Sequence, residues 1–282
     1  MIKLGTKRPR LTIFPKLIGA LLLVVAPLYG IGLEMNRLGE SSIREELAKS
    51  LTSKVDFYFN SLEVENEHMI RLLQEYVVDK DLQHLAFISG SMSLSEWSEA
   101  VLRIQDKLQL IKSSSIYVKS VSAHILTLNR TLSSEKSISD TLDDDYEAVE
   151  SVYKRSGPGI FHWKGRLFLA VAYPGSELPG MQKTYVLAIE LNLETMKQAL
   201  RSFSDYEHAG ATLVHMEQGW VVKGASEPDI SGELKQYVLG QHEGETPEGG
   251  REIGTSAGPY FTAYKYSPTF GYYLIAYVPS KE

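Results

Sequence analysis

The stretch GTSAG at positions 254–258 fits the G-x-S-x-G spacing that sets a serine nucleophile on a sharp strand-to-helix turn. That chemistry needs a helix after the serine, then an acid and a histidine further along to take the hydroxyl proton. Here the motif runs into PYFTAYKYS, which reads as strand, and beyond Ser256 stand one acid, Glu282, and no histidine. The stretch is therefore expected to be a tight hairpin turn in which Gly258 supplies a positive φ. Metal chemistry has no better basis. The chain lacks cysteine, so it has no thiolate nucleophile, no disulfide and no Cys-based zinc or iron–sulfur site. Its seven histidines are scattered. His242-Glu243 lacks the second histidine of H-E-x-x-H, and His208 and His215 straddle an expected turn and strand. Asp143, Asp144 and Asp145 are consecutive, whereas a calcium loop alternates its acids around a glycine and closes on glutamate; they suit a helix N-terminus instead. Ser151 and Lys154 match S-x-x-K without its partner motifs, and the sequon Asn129-Arg130-Thr131 reads most simply as a turn. No catalytic residue, metal or cofactor is assigned, and the chain is not expected to be an enzyme.

The residue types do offer a surface for a small ligand. Tyr117, His124, Phe161, Trp163, Arg166 and Tyr173, with His162 and Phe168, fall on neighbouring strands of one half of the chain. Flat apolar faces with a few polar tips suit sugars and amino acids. Strand alternation puts Phe161 and Trp163 on one face and His162 on the other, so the set cannot all line one pocket. The alternative is that these rings are sheet core or cross-strand pairs.

These side chains need elements to hold them, and the chain begins with a membrane segment. LIGALLLVVAPLYGIGL, residues 17–33, carries no charge, and the apolar stretch reaches back to Leu11. As helix the two lengths span about 25 and about 34 Å, which brackets a bilayer core. A cleaved signal peptide is the competing reading; Pro27 stands where cleavage after Val24-Val25-Ala26 would fall, which leaves Gly30–Gly32 as the other site. Lys3, Lys7, Arg8, Arg10 and Lys16 precede the run and the first acid, Glu34, follows it. The expectation is a retained anchor in the lipid bilayer, N-terminus cytoplasmic, with residues 34–282 extracellular. Without those five cations the rest carries 24 basic against 35 acidic side chains, about −11, which excludes nucleic-acid binding.

After the anchor, Ile43, Leu47, Leu51, Val55, Tyr58, Leu62, Asn66, Met69, Leu73 and Tyr76 recur at steps of three or four. With no Gly or Pro between Ser41 and Asp79, this predicts one long helix. Its stripe is expected to face core, with a dimer contact near the membrane end; Asn66 is either a register device or water-facing. A second helix is expected at residues 94–113, capped by Ser93 or Ser95. A hairpin follows, turning near Asn129, then a short helix in 139–157, a hairpin turning at Lys164-Gly165, and a strand at 184–191. The series then repeats: a helix at 193–203, a hairpin turning at Gln218-Gly219, a short helix, and strands at 251–256, 258–266 and 272–278. The fold class is α+β, with two antiparallel sheets in tandem.

The basic FPKLIGALLLVVAPLYG, then SKVDFYFNSLEVENEHMIRLLQEYVVDKDLQHL, AVLRIQDKLQLIKSSSIYVKSVSAHILTLNRTLSS and the closing FGYYLIAYVPSKE carry a resemblance. The whole chain resembles a double Cache domain, and more narrowly the extracytoplasmic input region of YesM-like sensor histidine kinases of Gram-positive bacteria. The resemblance implies a cytoplasmic tail at 1–10, a transmembrane helix at 11–33 and a stalk or spine helix at 34–80. It also implies a membrane-distal PAS-like unit at 81–191 and a membrane-proximal one at 192–282. It implies the input domain of a two-component kinase that binds a small extracellular ligand, a saccharide or other solute, and pairs as a homodimer through the stalk. The ligand pocket would lie between the sheet face and the loops over it. Glu282 closes a strand, so the kinase part would lie beyond it; sensor fragment and sensor without its own output both stand as readings. The alternatives are an anchored binding or scaffold protein acting through a membrane partner, and the input domain of a chemoreceptor.

Overall fold

The apolar stripe of the first helix organises most of the architecture. The computed structural model describes residues 13–135, 138, 139, 141, 142, 146, 159–174, 183–204, 207–224, 230–240 and 248–280. The chain divides into two compact bodies, Met1–Lys49 and Ser50–Glu282, and helix α1 (Ile13–Tyr76) contributes to both. In the first body α1 is exposed from Leu17 to Glu46, and among the described residues it is the one helix long and apolar enough to cross a membrane.

In the second body α1 buries Leu51, Val55, Tyr58, Leu62, Asn66, Met69 and Leu73. Ile43, at the start of the expected stripe, is exposed. Each buried aliphatic side chain contributes about 1.5–3 kcal/mol, so the stripe is the main tie between α1 and the sheets. Asn66 is neither water-facing nor a helix-pairing device. It is 1% exposed, and its Nδ2 donates to the Tyr272 hydroxyl at 3.3 Å, which places this polar residue against another polar group inside the core.

The long helix, expected to run through Asp79, ends at Tyr76, because Asp79 starts another. Its Oδ1 accepts from the backbone N–H groups of Asp81 and Leu82, capping α2 (Lys80–Ile88), a helix the sequence reading passed over. Helix α3 (Leu94–Ser113) has the expected start: Ser93 and Glu96 form a reciprocal capping box. Of the helix expected in 139–157 only residues 139, 141, 142 and 146 are described; Asp143–Asp145 and the Ser151/Lys154 and His242-Glu243 pairs lie outside the described residues.

Two sheets follow. The first comprises β1 (Val118–Ile125), β2 (Arg130–Ser133), β3 (Ile160–Trp163), β4 (Arg166–Tyr173) and β5 (Tyr185–Leu191), in the order β2-β1-β5-β4-β3. Asn129 takes the left-handed conformation (φ 52°) between β1 and β2. Lys164 (φ 45°) and Gly165 (φ 79°) make the two-residue turn between β3 and β4 that strand twist favours. Central β5 is buried along its whole length. Next come α4 (Leu193–Arg201), β6 (Gly210–His215), β7 (Val221–Lys223), α5 (Ile230–Gly240), β8 (Glu248–Thr255), β9 (Gly258–Ser267) and β10 (Tyr272–Pro279). These strands form the antiparallel order β7-β6-β10-β9-β8. Each sheet thus places its last strand in the middle and its third at an edge, the same topology twice, as an α+β chain with two tandem PAS-like sheets requires.

One continuous core joins the α1 stripe, α2, α3 and α4 to the inner face of both sheets, from Val121, Leu169, Leu187 and Ile189 to Leu213, Leu274 and Ala276. Helix α5 covers the outer face of the second sheet through Ile230, Leu234 and Val238. The GTSAG stretch is the β8–β9 hairpin, with Gly258 at φ 124°. Ser256 donates from both N and Oγ to the Glu233 carboxylate on α5, which ties the hairpin to that helix.

Candidate ligand-binding face of the first sheet

The outer face of the first sheet is set by alternation. On β4, Leu167, Leu169, Val171 and Tyr173 point to the helices, which leaves Arg166, Phe168, Ala170 and Ala172 on the other side. The cross-strand register aligns Phe161 with Phe168, Phe168 with Glu190, Ala170 with Ala188, and Glu190 with Ser120. The floor is therefore small at its centre (Ala170, Ala188, Ser122) and aromatic towards β3, where Phe161 stacks on Phe168 at 5.5 Å.

At one end of this floor sits Glu190, 5% exposed. Arg166 Nε donates to its Oε1 at 2.8 Å and the Arg166 Nη2 to its Oε2. Lys119 Nζ donates to Oε1 at 3.0 Å, and Ser120 Oγ to Oε2 at 3.1 Å. Two consecutive residues of β1 reach one carboxylate because the β1–β5 register shifts between Val118 and Ser120. Burial alone would raise the Glu190 pKa; the bonds from Arg166 and Lys119 overcome it and hold the carboxyl below its ordinary value. The Arg166 guanidinium also lies over Phe168 (4.9 Å), and Lys164 over Trp163 (5.2 Å). Among the described residues here, Lys119, Lys164 and Arg166 stand against the single acid Glu190, so the end of the face is net positive and donor-rich. At the opposite end His124 is buried, its Nδ1 2.9 Å from Thr131 Oγ1 and its ring 6.0 Å from that of Tyr146.

Of the six residues singled out from the sequence, His124, Phe161, Trp163 and Arg166 share this face. Tyr173 does not: it points to the helices, stacked on Tyr185 at 5.0 Å and edge-on to Phe87. Tyr117 precedes β1 on the helix side, where burial and the nearby Glu65 carboxylate raise its phenol pKa. Sequence reasoning missed Glu190, Lys119 and Ser120. The available signal was the lone acid in YVLAIEL, a strand otherwise wholly apolar.

No family model and no curated protein matches the chain. Solved structures do match its fold. The sensory domain of the Campylobacter jejuni chemoreceptor Tlp3 aligns over 85% of this chain and 96% of its own, with a TM-score of 0.55 and 11% identity. The extracellular domain of vpHK1S-Z8, a chain classed as a histidine kinase, aligns over 83% and 95%, with a TM-score of 0.54 and 13% identity. A domain of a sensory box/GGDEF family protein from Vibrio parahaemolyticus aligns over 84% and 97%, with a TM-score of 0.52 and 11% identity. At such identities the likeness is one of fold: a long N-terminal helix and two tandem five-stranded sheets in the arrangement of a Cache-like sensor domain.

Proposed function

We propose that this chain is the membrane-anchored input module of a signalling protein and binds a small extracellular solute on the outer face of its first sheet. The observation that carries the reading is the cluster on that face. A buried carboxylate holds Arg166, Lys119 and Ser120 in place beside an aromatic wall and a floor of small residues. Fixed donors next to flat apolar surface suit a saccharide or another polar solute. The sensory domain of a chemoreceptor and the extracellular domain of a histidine-kinase-class chain use the same fold, which supports the reading by analogy of fold. On this reading residues 81–191 form the membrane-distal sensing unit and 192–282 the proximal one. The helix at 11–33 sits in the bilayer with residues 34–282 outside, and the output is a two-component histidine kinase of the YesM-like kind. Two copies pair through α1, whose Phe57 and Val64 are 79% and 61% exposed and seven residues apart on one helix face.

The test is a thermal-shift screen of the full chain in nanodiscs against monosaccharides, oligosaccharides, amino acids and small organic acids. One class is expected to raise the melting temperature, and Arg166→Ala to abolish the shift. If no solute shifts the wild-type protein at millimolar concentration, the sensor reading fails. An enzymatic reporter fused after Glu282 that is active only inside the cell would overturn the orientation.

A further inference from the structure

The wall of this face is held by a residue from the other sheet. β3, which carries Phe161 and Trp163, is an edge strand. In an antiparallel edge every second residue turns its N–H and C=O away from the sheet, and an edge left open invites pairing. On β3 the outward groups belong to Ile160 and His162, and one side chain takes both. Gln218 Nε2 donates to Ile160 O at 2.7 Å, and His162 N donates to Gln218 Oε1 at 3.0 Å. A primary amide offers a donor and an acceptor side by side, as a peptide group does, so Gln218 extends the first sheet by one peptide-like unit.

Gln218 belongs to the turn between β6 and β7 of the second sheet. Its backbone N–H donates to His215 Nδ1 at 3.2 Å, and Met216 N donates to Gly271 O at 2.9 Å, next to the start of β10. The His215 ring lies 5.3 Å from Trp220, and Trp220 lies 6.3 Å from Tyr272, whose hydroxyl donates to Glu63 and accepts from Asn66 on α1. A contiguous set of contacts therefore runs from β3 through Gln218 to the last strand and α1.

We propose that Gln218 is the positioning residue for the Phe161–Trp163 wall and the point where the state of that wall is passed to the second sheet. A ligand that displaces β3 must carry the β6–β7 turn with it or break both amide bonds. This rests on the reading of the first-sheet face as the ligand site, but the clamp can be tested without a ligand.

The experiment is residue-resolved hydrogen exchange on the full chain in nanodiscs. In Gln218→Ala the His162 amide is expected to exchange about tenfold faster than in wild type, with Ala123 and Leu187 in the sheet centre unchanged. Unchanged protection at His162 overturns the proposal. A uniform loss of protection across both sheets would leave the decision to Gln218→Glu. Its carboxylate can accept from His162 N but has no proton for Ile160 O; the protonated acid has both. The donor half of the clamp, to Ile160 O, is therefore present while the introduced carboxyl is protonated and lost as pH rises and it ionises, whereas the acceptor half, from His162 N, persists. Near pH 7 the His162 amide should therefore keep its wild-type protection, while the Ile160 carbonyl ¹³C resonance moves away from its wild-type position and returns to it near pH 4. The ionisable side chains beside the clamp are His162, His215 and exposed Glu217, and wild type over the same pH range is the control for them. If His162 is unprotected in this variant, or if the Ile160 carbonyl resonance does not follow pH, the proposal is wrong. A solute screen that finds no ligand while these results hold would remove the ligand reading and leave the clamp.

Discussion

Arg166 and Glu190 face each other from neighbouring strands as a two-pronged pair, with the guanidinium Nε 2.8 Å from one carboxylate oxygen and Nη2 bonded to the other. The carboxylate is the buried partner, at 5% exposure against 33% for the Arg166 side chain and 54% for Lys119. Removing the acid takes away the carboxylate on which Arg166 and Lys119 converge. Glu190→Ala is expected to destabilise the second body by about 2 kcal/mol, below the usual loss for a broken buried pair because both cations are partly solvated. Urea denaturation measures it. The Arg166→Ala/Glu190→Ala double variant should lose less than the sum of the singles.

The same pair makes stability depend on pH. The folded Glu190 pKa lies below the ordinary 4.5, so its contribution is present above 4.5 and lost as pH falls through the folded value. The stability advantage of wild type over Glu190→Gln should be constant near neutrality and shrink in acid below about pH 4.5. An advantage that grew on acidification would mean the folded pKa is raised, contrary to the donors seen around it.

The two faces of α1 make opposite predictions. Leu62 is buried, and Leu62→Ala should cost about 2–5 kcal/mol of unfolding free energy. Phe57→Ala and Val64→Ala should change it by under about 0.5 kcal/mol, since both side chains are exposed. If the chain pairs through this helix, those exposed-face variants should instead weaken self-association in sedimentation equilibrium. Equal self-association would remove the pairing.

Asn129 sits at φ 52° between β1 and β2. Asn129→Gly should be close to neutral, and Asn129→Val should destabilise by about 1–2 kcal/mol because a β-branched side chain resists the left-handed region. Thermal unfolding of the two variants side by side checks this.

The Tyr272 hydroxyl is the hinge of a small buried network, donating to Glu63 at 2.7 Å and accepting from Asn66 at 3.3 Å. Tyr272→Phe keeps the ring and leaves both partners short of a bond. It should cost about 1–2 kcal/mol in chemical denaturation.

Much of this molecule is written in local patterns. The uncharged run at 17–33, the stripe from Leu51 to Leu73 and the turn residues Asn129 and Lys164-Gly165 each depend on neighbours a few positions away, so the sequence alone located them; it left the cap of α3 open between Ser93 and Ser95, and the structure chose Ser93 with Glu96. The short helix α2 was hidden because Asp79 looks like the tail of one helix until it is seen capping the next. Pairings across long separations were not legible. Alternation could separate Phe161 from His162, but not say that Tyr173 faces the helices while Arg166 faces outward, since that depends on which side of the sheet α1–α3 cover. Nor could spacing match Glu190 with Lys119 and Ser120, about seventy residues earlier, or Asn66 with Tyr272, or Gln218 with the β3 edge. Periodicity is a property of one segment, whereas a buried polar group finds its partner only when the chain has closed and water is gone, and that choice belongs to the tertiary structure.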